Sequence, residues 1–286
     1  MLTYVFPGQG SQVKGMGAKL FGDFKTLTAI ADDILGCSIK TLCVDDPDNL
    51  LSKTQYTQPA LYVVSALSYL KHYETTSSKS HYLAGHSLGE YNALFAAGVF
   101  DFATGLRLVQ KRGELMSQAA DGSMAAVIGL PIDDIRQILN ENGFDRIDIA
   151  NLNSPVQTVV SGDSAEIGAA AKVFDKYKAR YIPLQVSAAF HSRLMRDAAD
   201  QFKTFLNGFT FKPARTPVIS NVHAKPYVDG QEKECLYRQI TQSVRWTDTV
   251  EFLLNRGEMN FLELGPGQVL TILIDAIRRN HVRAAT

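Results

Sequence analysis

At 286 residues, 45% apolar and 20% charged, the chain has the make-up of an ordinary globular enzyme and the length for one large domain or two modest ones. Lysine plus arginine and aspartate plus glutamate both number 29, so the formal net charge is zero, and no basic stripe points to nucleic acid or to an anionic membrane. Cys37, Cys43 and Cys235 have neither the even count of a disulfide framework nor the spacing of a metal site; with no leader pattern and no apolar run near the roughly 20 residues of a membrane span, a cytoplasmic protein is expected.

The chain opens on an apolar strand at residues 2–6, which ends in Pro7-Gly8-Gln9-Gly10-Ser11-Gln12. The two glycines leave that loop's amides bare, which suits an oxyanion. Helices are predicted over 18–35, in a short piece around 47–51, and over 59–73, where Leu61, Val64, Leu67 and Leu70 recur at helical steps and define one buried face. A turn at 77–80 leads into a strand ending at 82–84, then Gly85-His86-Ser87-Leu88-Gly89, then a helix over 90–97. A serine between two glycines, after a strand and before a helix, is the pattern of a nucleophile elbow: the glycines permit the sharp turn, and the new helix aims its N-terminus at any oxyanion formed there.

Asp101 is placed to cap a helix over 102–119 whose inner stripe is Phe102, Leu106, Val109, Gly113 and Met116. Arg112 lies beside that stripe. A desolvated guanidinium costs several kcal/mol, by order of magnitude, unless it is paired, so its partner is a ligand anion, an internal acid, or water reached along its own stem. From 123 to 186 the pattern becomes strand (124–130), helix (131–141), strand (147–152), strand (158–161), helix (164–177), strand (179–186), the order of a ferredoxin-like domain. The larger body then resumes with a helix over 192–207, a strand at 218–220, helices around 236–241 and 249–256, a strand at 260–264 and a last helix over 269–279. Of the six histidines, His191 has the most suggestive setting for a base, since Ala188-Ala189-Phe190-His191-Ser192 stands where the small domain hands back to the large one. His86 adjoins the serine, but neighbours at a tight turn point apart, and it reads as structural.

Taken together, these segments resemble the malonyl-CoA:acyl-carrier-protein acyltransferases of fatty-acid and polyketide synthesis. Gly8 to Gln12 looks like the family's opening loop, Gly85 to Glu90 like its elbow, Arg112-Gly113 with Met116 like its carboxylate-binding helix, and Phe190-His191-Ser192 like its histidine motif. Asn153-Ser154-Pro155, Ser220-Asn221-Val222, Val244-Arg245-Trp246 and Leu264-Gly265-Pro266-Gly267 match in the same order. The resemblance implies an α/β fold: an α/β-hydrolase-like large domain with a parallel sheet (1–122 and 188–286) and an inserted ferredoxin-like small domain (123–187). It implies Ser87 as nucleophile, His191 as base held by the main-chain carbonyl of Gln239, the amides of Gln9 and Leu88 as the oxyanion hole, and Arg112 as the clamp for malonate. Many relatives have proline where Ser243 stands. Phe190 before the histidine and Leu88 after the serine resemble the pattern of members selective for plain malonyl over methylmalonyl units. The implied reaction is ping-pong transfer from malonyl-CoA to the phosphopantetheine thiol of an acyl carrier protein, in trans, for a fatty-acid or, more in keeping with Ala-Phe-His, a polyketide system. No bound cofactor, metal, membrane or nucleic-acid partner is implied. The rival reading is an acyl hydrolase of the same fold that clears stalled chains.

Overall fold

The computed structural model describes residues 1–119, 122–186 and 188–285, with side chains described up to residue 282. The expected junction residue Ser187 lies outside the described residues. The first half of the chain builds β1 (Leu2–Phe6), four helices, α1 (Leu20–Asp23), α2 (Lys25–Leu35), α3 (Ile39–Val44) and α4 (Thr54–Thr76), then β2 (Tyr82–Gly85), α5 (Gly89–Ala96) and α6 (Phe102–Gln118). A second group follows: β3 (Ser123–Ile128), α7 (Ile132–Glu141), β4 (Ile147–Ser154), β5 (Gln157–Gly162), α8 (Ser164–Lys176) and β6 (Arg180–Pro183). The chain finishes with α9 (Arg196–Leu206), β7 (Val218–Ile219), α10 (Glu232–Gln239), α11 (Trp246–Leu254), β8 (Asn260–Glu263) and α12 (Val269–Ala285).

Two sheets result. The larger has the order β7-β2-β1-β8 with every pair parallel. Parallel strands are covered on both faces, which is why β1 is buried at every position from Thr3 to Phe6 instead of at alternate ones. Its Tyr4 and Phe6 join Leu61, Leu106 and Phe202 in the core under α4, α6 and α9, whereas Val5 points to the opposite face, with Trp246, Val250, Leu270 and Ile274 of α11 and α12. The smaller sheet has the order β4-β5-β3-β6, all antiparallel, with α7 and α8 on one face. Strand-helix-strand twice over, in that order, is the ferredoxin-like arrangement. The two parts are joined by backbone pairing: Leu152 N–H donates to the Val244 carbonyl and Val244 N–H to the Ala150 carbonyl, each at 2.9 Å.

Several predicted boundaries shift, each for a local reason. The helix expected over 18–35 is broken at Phe24 (φ −113°, ψ 52°) into α1 and α2. Helix α3 was not expected; Ser38 caps it, accepting from the Thr41 N–H at 3.2 Å. Proline at 59 reads as a helix start, yet α4 begins at Thr54 and carries Pro59 inside it. Nor does α4 have one buried face, because every residue from Thr57 to Leu67 is buried against α5, α6 and the sheet. The stretch expected as a helix from 192 opens as a single 3-10 turn, Arg193–Met195, before α9.

Both loops singled out in the sequence lie at the carboxyl ends of adjacent strands, β1 and β2, where open parallel sheets carry their sites. Neither elbow glycine has positive φ; the left-handed residue is Ser87 itself (φ 50°). Gly85 and Gly89 are needed for space: a Cβ on Gly85 would lie 2.0 Å from the Gly89 carbonyl, and one on Gly89 2.0 Å from the Phe6 carbonyl oxygen. Gly89→Ala is therefore expected to destabilise the fold by at least about 3 kcal/mol, read as a lower urea midpoint, because backbone on both sides must move. A midpoint within experimental error of wild type would show that the close approach has slack.

Candidate active site

Ser87 stands at the tip of the β2–α5 elbow, held there from behind. Its N–H donates to Asn221 Oδ1 at 2.7 Å, and Asn221 Nδ2 donates to the Gly85 carbonyl at 2.6 Å, so one buried amide pins both arms of the turn. A left-handed non-glycine residue costs on the order of 1–3 kcal/mol and persists only where its surroundings over-determine it. Here they do. The strain turns the Oγ away from the sheet toward His191, whose Nε2 lies 2.8 Å away.

His191 is itself left-handed (φ 58°) and buried. Its Nδ1 lies 2.7 Å from the main-chain carbonyl oxygen of Gln239, at the end of α10. A carbonyl only accepts, so Nδ1 carries the proton and the bare Nε2 accepts from the serine hydroxyl. Burial, and then the positive charge of Arg112, push the imidazole pKa down to about 3. The ring is thus neutral, and its Nε2 lone pair faces the serine hydroxyl.

Arg112, on α6, is 1% exposed. Its Nη1 donates to Gln58 Oε1 at 2.7 Å, and its Nη2 donates to Gln239 Oε1 at 2.9 Å and to Ser87 Oγ at 3.0 Å. Of the three partners the sequence left open, an internal salt bridge is absent among the described residues, and the side chain does not reach water. Neutral carbonyl oxygens hold it instead, and Nε has no hydrogen bond. Burial pushes its pKa below that of a free guanidinium, against the opposite pull of Tyr91 and Glu90.

Ser87, His191 and Arg112 open into one cavity of about 90 Å³, which Gln9, Phe190 and Met124 also line. The opening loop is pressed against the elbow, where a Cβ on Gly8 would come 2.5 Å from the His86 carbonyl oxygen. Gln9 is steadied by its side-chain amide, which donates to Thr54 Oγ1 at 3.2 Å. Among the described residues neither the Gln9 nor the Leu88 backbone amide is taken by a protein acceptor. His191 also borders a wider groove of about 370 Å³ with Arg193, Gln242, Ser243 and Arg245. His86 is structural, as expected: Nε2 pairs with Asn153 Oδ1 at 2.8 Å and the ring packs edge-on to Trp246.

Three residues at the site, and the side chain of a fourth, were given no role in the sequence reading. Gln58 and the side chain of Gln239 hold Arg112, Asn221 holds the elbow, and Glu90 lies fully buried behind it. Glu90 Oε1 accepts from the Tyr227 hydroxyl at 2.5 Å and from Asn221 N–H at 2.9 Å, while Oε2 accepts from Gln239 Nε2. Burial pushes its carboxyl up to about 7, against the downward pull of those donors and of Arg112. The available signal was the elbow motif itself, which carries an acid at 90 inside an otherwise apolar helix start.

A histidine with its folded-state pKa below the unfolded value has a definite pH signature. As pH falls below 6.5 the unfolded chain takes up the proton first, so stability is lost downward from that pH toward 3. At pH 5 the loss attributable to His191 is on the order of 2 kcal/mol. His191→Ala is expected to gain on wild type in thermal midpoint between pH 7.5 and pH 5; a constant difference would contradict a neutral buried ring.

The chain is similar to known proteins over nearly its whole length. Residues 3–286 match the acyl transferase domain family. The chain is 55% identical over 280 residues to the polyketide biosynthesis malonyl CoA-acyl carrier protein transacylase BaeC of Bacillus velezensis, covering 97% of each chain. It is 54% identical over 282 residues to the corresponding PksC protein of Bacillus subtilis, with 98% of each covered. Among solved structures, a malonyl CoA-acyl carrier protein transacylase from Burkholderia pseudomallei superposes with a TM-score of 0.95 at 50% identity over 98% of both chains. A malonyl-transacylase in complex with a type II PKS acyl-carrier protein gives 0.92 at 38% identity, over 97% of this chain and 93% of the other. A match over nearly the whole length makes this chain a member of the acyl transferase domain family.

Proposed function

We propose that the protein transfers a malonyl group from malonyl-CoA, through an ester on Ser87, to the phosphopantetheine thiol of an acyl carrier protein, and that it serves a polyketide synthase in trans. The observation that carries the reading is Arg112: a buried guanidinium that no acid contacts directly among the described residues, 3.0 Å from the Ser87 hydroxyl. Such a cation suits an acyl group that ends in a second carboxylate, which it can meet bidentately. The names of the relatives favour the same donor and acceptor.

In the first half-reaction Ser87 gives its proton to His191 Nε2 as Oγ attacks the thioester carbon. The oxyanion rests on the amides of Gln9 and Leu88, and His191 returns the proton to the departing CoA sulfur. A carrier thiol, its proton taken by His191 Nε2, then attacks the malonyl ester; the acyl C–O bond to Ser87 breaks and His191 returns the proton to Oγ. The substrate carboxylate adds a further effect. Arg112 is the charge that, after burial, holds the imidazole down, so a carboxylate arriving on the guanidinium cancels that field and strengthens the base when the right substrate is bound. Nucleophile, base, oxyanion donors and cation all come from the chain, so the chemistry calls for no bound cofactor.

We take residues 1–122 and 188–286 as the catalytic domain and 123–187 as the small domain. Met124 and Asn151 of the latter help line the Ser87 cavity, and the wider groove beside His191 offers a path for the pantetheine arm. No helix among the described residues is long and apolar enough to cross a membrane, and a cytoplasmic location fits the three free thiols. The acyl-hydrolase reading is less favoured, because a neutral stalled chain brings no carboxylate to the edge of Arg112.

Arg112→Ala is expected to lower malonyl loading of Ser87 by tens- to thousands-fold, from a loss of roughly 2–5 kcal/mol, while acetyl loads as well or better. Intact-protein mass spectrometry after brief exposure to mixed acyl-CoAs reads both, and an unchanged malonyl preference would refute the assignment. In the same assay Phe190→Ser should raise methylmalonyl loading by about 1–3 kcal/mol in relative terms, since the ring fills space an α-methyl group needs. Malonyl-Ser87 that decays in water as fast as with carrier protein present would favour the hydrolase.

A further inference from the structure

The side-chain amide of Gln239 sits between two opposite charges. Its Nε2 spends both hydrogens, one on the Ser87 carbonyl oxygen at 2.9 Å and one on Glu90 Oε2, and its Oε1 accepts from Arg112 Nη2 at 2.9 Å. Only this orientation is tolerated. Turned over, the amide would face N–H against guanidinium and carbonyl against carboxylate. Glu90 in turn cannot shift, because the Tyr227 hydroxyl and the Asn221 N–H hold its other oxygen.

We propose that Glu90 is a positioning residue for Arg112, acting through the Gln239 side chain: a carboxylate one amide away supplies the buried guanidinium with counter-charge while leaving its outer edge free for a substrate carboxylate. The inference rests on the reading of Arg112 as the cation that receives malonate. A buried arginine with no acid nearby is costly to keep charged, whereas an acid in direct contact would occupy the site the substrate needs. An amide-bridged pair meets both requirements. It also ties the nucleophile to the cation, since the same Nε2 holds the Ser87 carbonyl. A purely structural Glu90, buttressing the elbow through Asn221, would serve every acyl donor alike; the proposed role is specific to donors with a second carboxylate.

The test compares Glu90→Gln and Gln239→Met with wild type and Arg112→Ala in the full-length chain, measuring kcat and KM for loading of Ser87 from malonyl-CoA and from acetyl-CoA. Gln239→Met keeps side-chain length and the main-chain carbonyl that faces His191, so it decides the question alone should Glu90→Gln not fold. Expected is a rise of about tenfold in KM for malonyl-CoA, larger than any fall in kcat, and a drop of about tenfold in the malonyl-to-acetyl loading ratio, the size of a lost hydrogen bond to a charged group. The double variant should lose little more than either single one, because both cut the same link. Equal losses for the two donors, or an unchanged ratio, would overturn the proposal. A wild-type enzyme with no malonyl preference would sink the reading of Arg112 and the inference with it. A preference lost in Arg112→Ala but kept in both other variants would sink the inference alone.

Discussion

A guanidinium shut away from water, in a cavity that on the proposed function also receives an anion, sets the conditions that the rest of this site satisfies. Left bare, the charge would be driven off by the cost of desolvation; paired directly with an acid, it would be neutral and its edge taken. Arg112 is instead held by the carbonyl oxygens of two glutamines, Gln58 from α4 and Gln239 from α10, with Glu90 of α5 one hydrogen bond further back. Each group comes from a different helix. The electrostatic requirement is therefore also a packing requirement, because α4, α5, α6 and α10 must converge for the cation to be tolerated at all.

The second constraint is steric and acts on the backbone. Strand β1, the end of β2 and the start of α5 approach so closely at Gly8, Gly85 and Gly89 that a methyl group at any of them would meet main-chain atoms. That closeness presses the opening loop against the elbow and puts Gln9 and Leu88 beside one serine. Asn221, arriving from after β7, locks the turn with three hydrogen bonds, donating to Gly85, accepting from Ser87 and donating its own N–H to Glu90. The strained φ angles of Ser87 and His191 are held in place by this scaffold, so the 2.8 Å contact between them needs no rearrangement to form.

Much of this could be read from residue order because the signals were local. Two glycine-bracketed loops at strand ends marked the elbow, the family resemblance implied the parallel sheet, and strand-helix-strand repeated twice marked the antiparallel insert. Where local signals compete, the reading shifted. Pro59 looks like a helix start because proline favours that position, but α4 runs through it, buried on all sides there. The three-residue apolar repeat in α4 suggested one buried face, yet a helix enclosed by two neighbours and a sheet has no solvent side over that stretch.

By itself the order of residues pointed to a candidate nucleophile, a candidate base and the need for a partner at Arg112, because each follows from chemistry within a few positions: a hydroxyl on a turn, an imidazole at a domain junction, a charge on an apolar stripe. Only the tertiary structure decided what surrounds that charge. Gln58 and Gln239 lie 54 and 127 residues from Arg112 along the chain, and nothing in their neighbourhoods distinguishes a glutamine that faces water from one that accepts from a buried guanidinium. The same holds for Glu90, whose solvent was removed by Tyr227, Asn221 and Gln239, all more than 130 positions away. Hydrogen-bond partners in a dry interior are chosen by distance in space, and that distance exists only once the chain has folded.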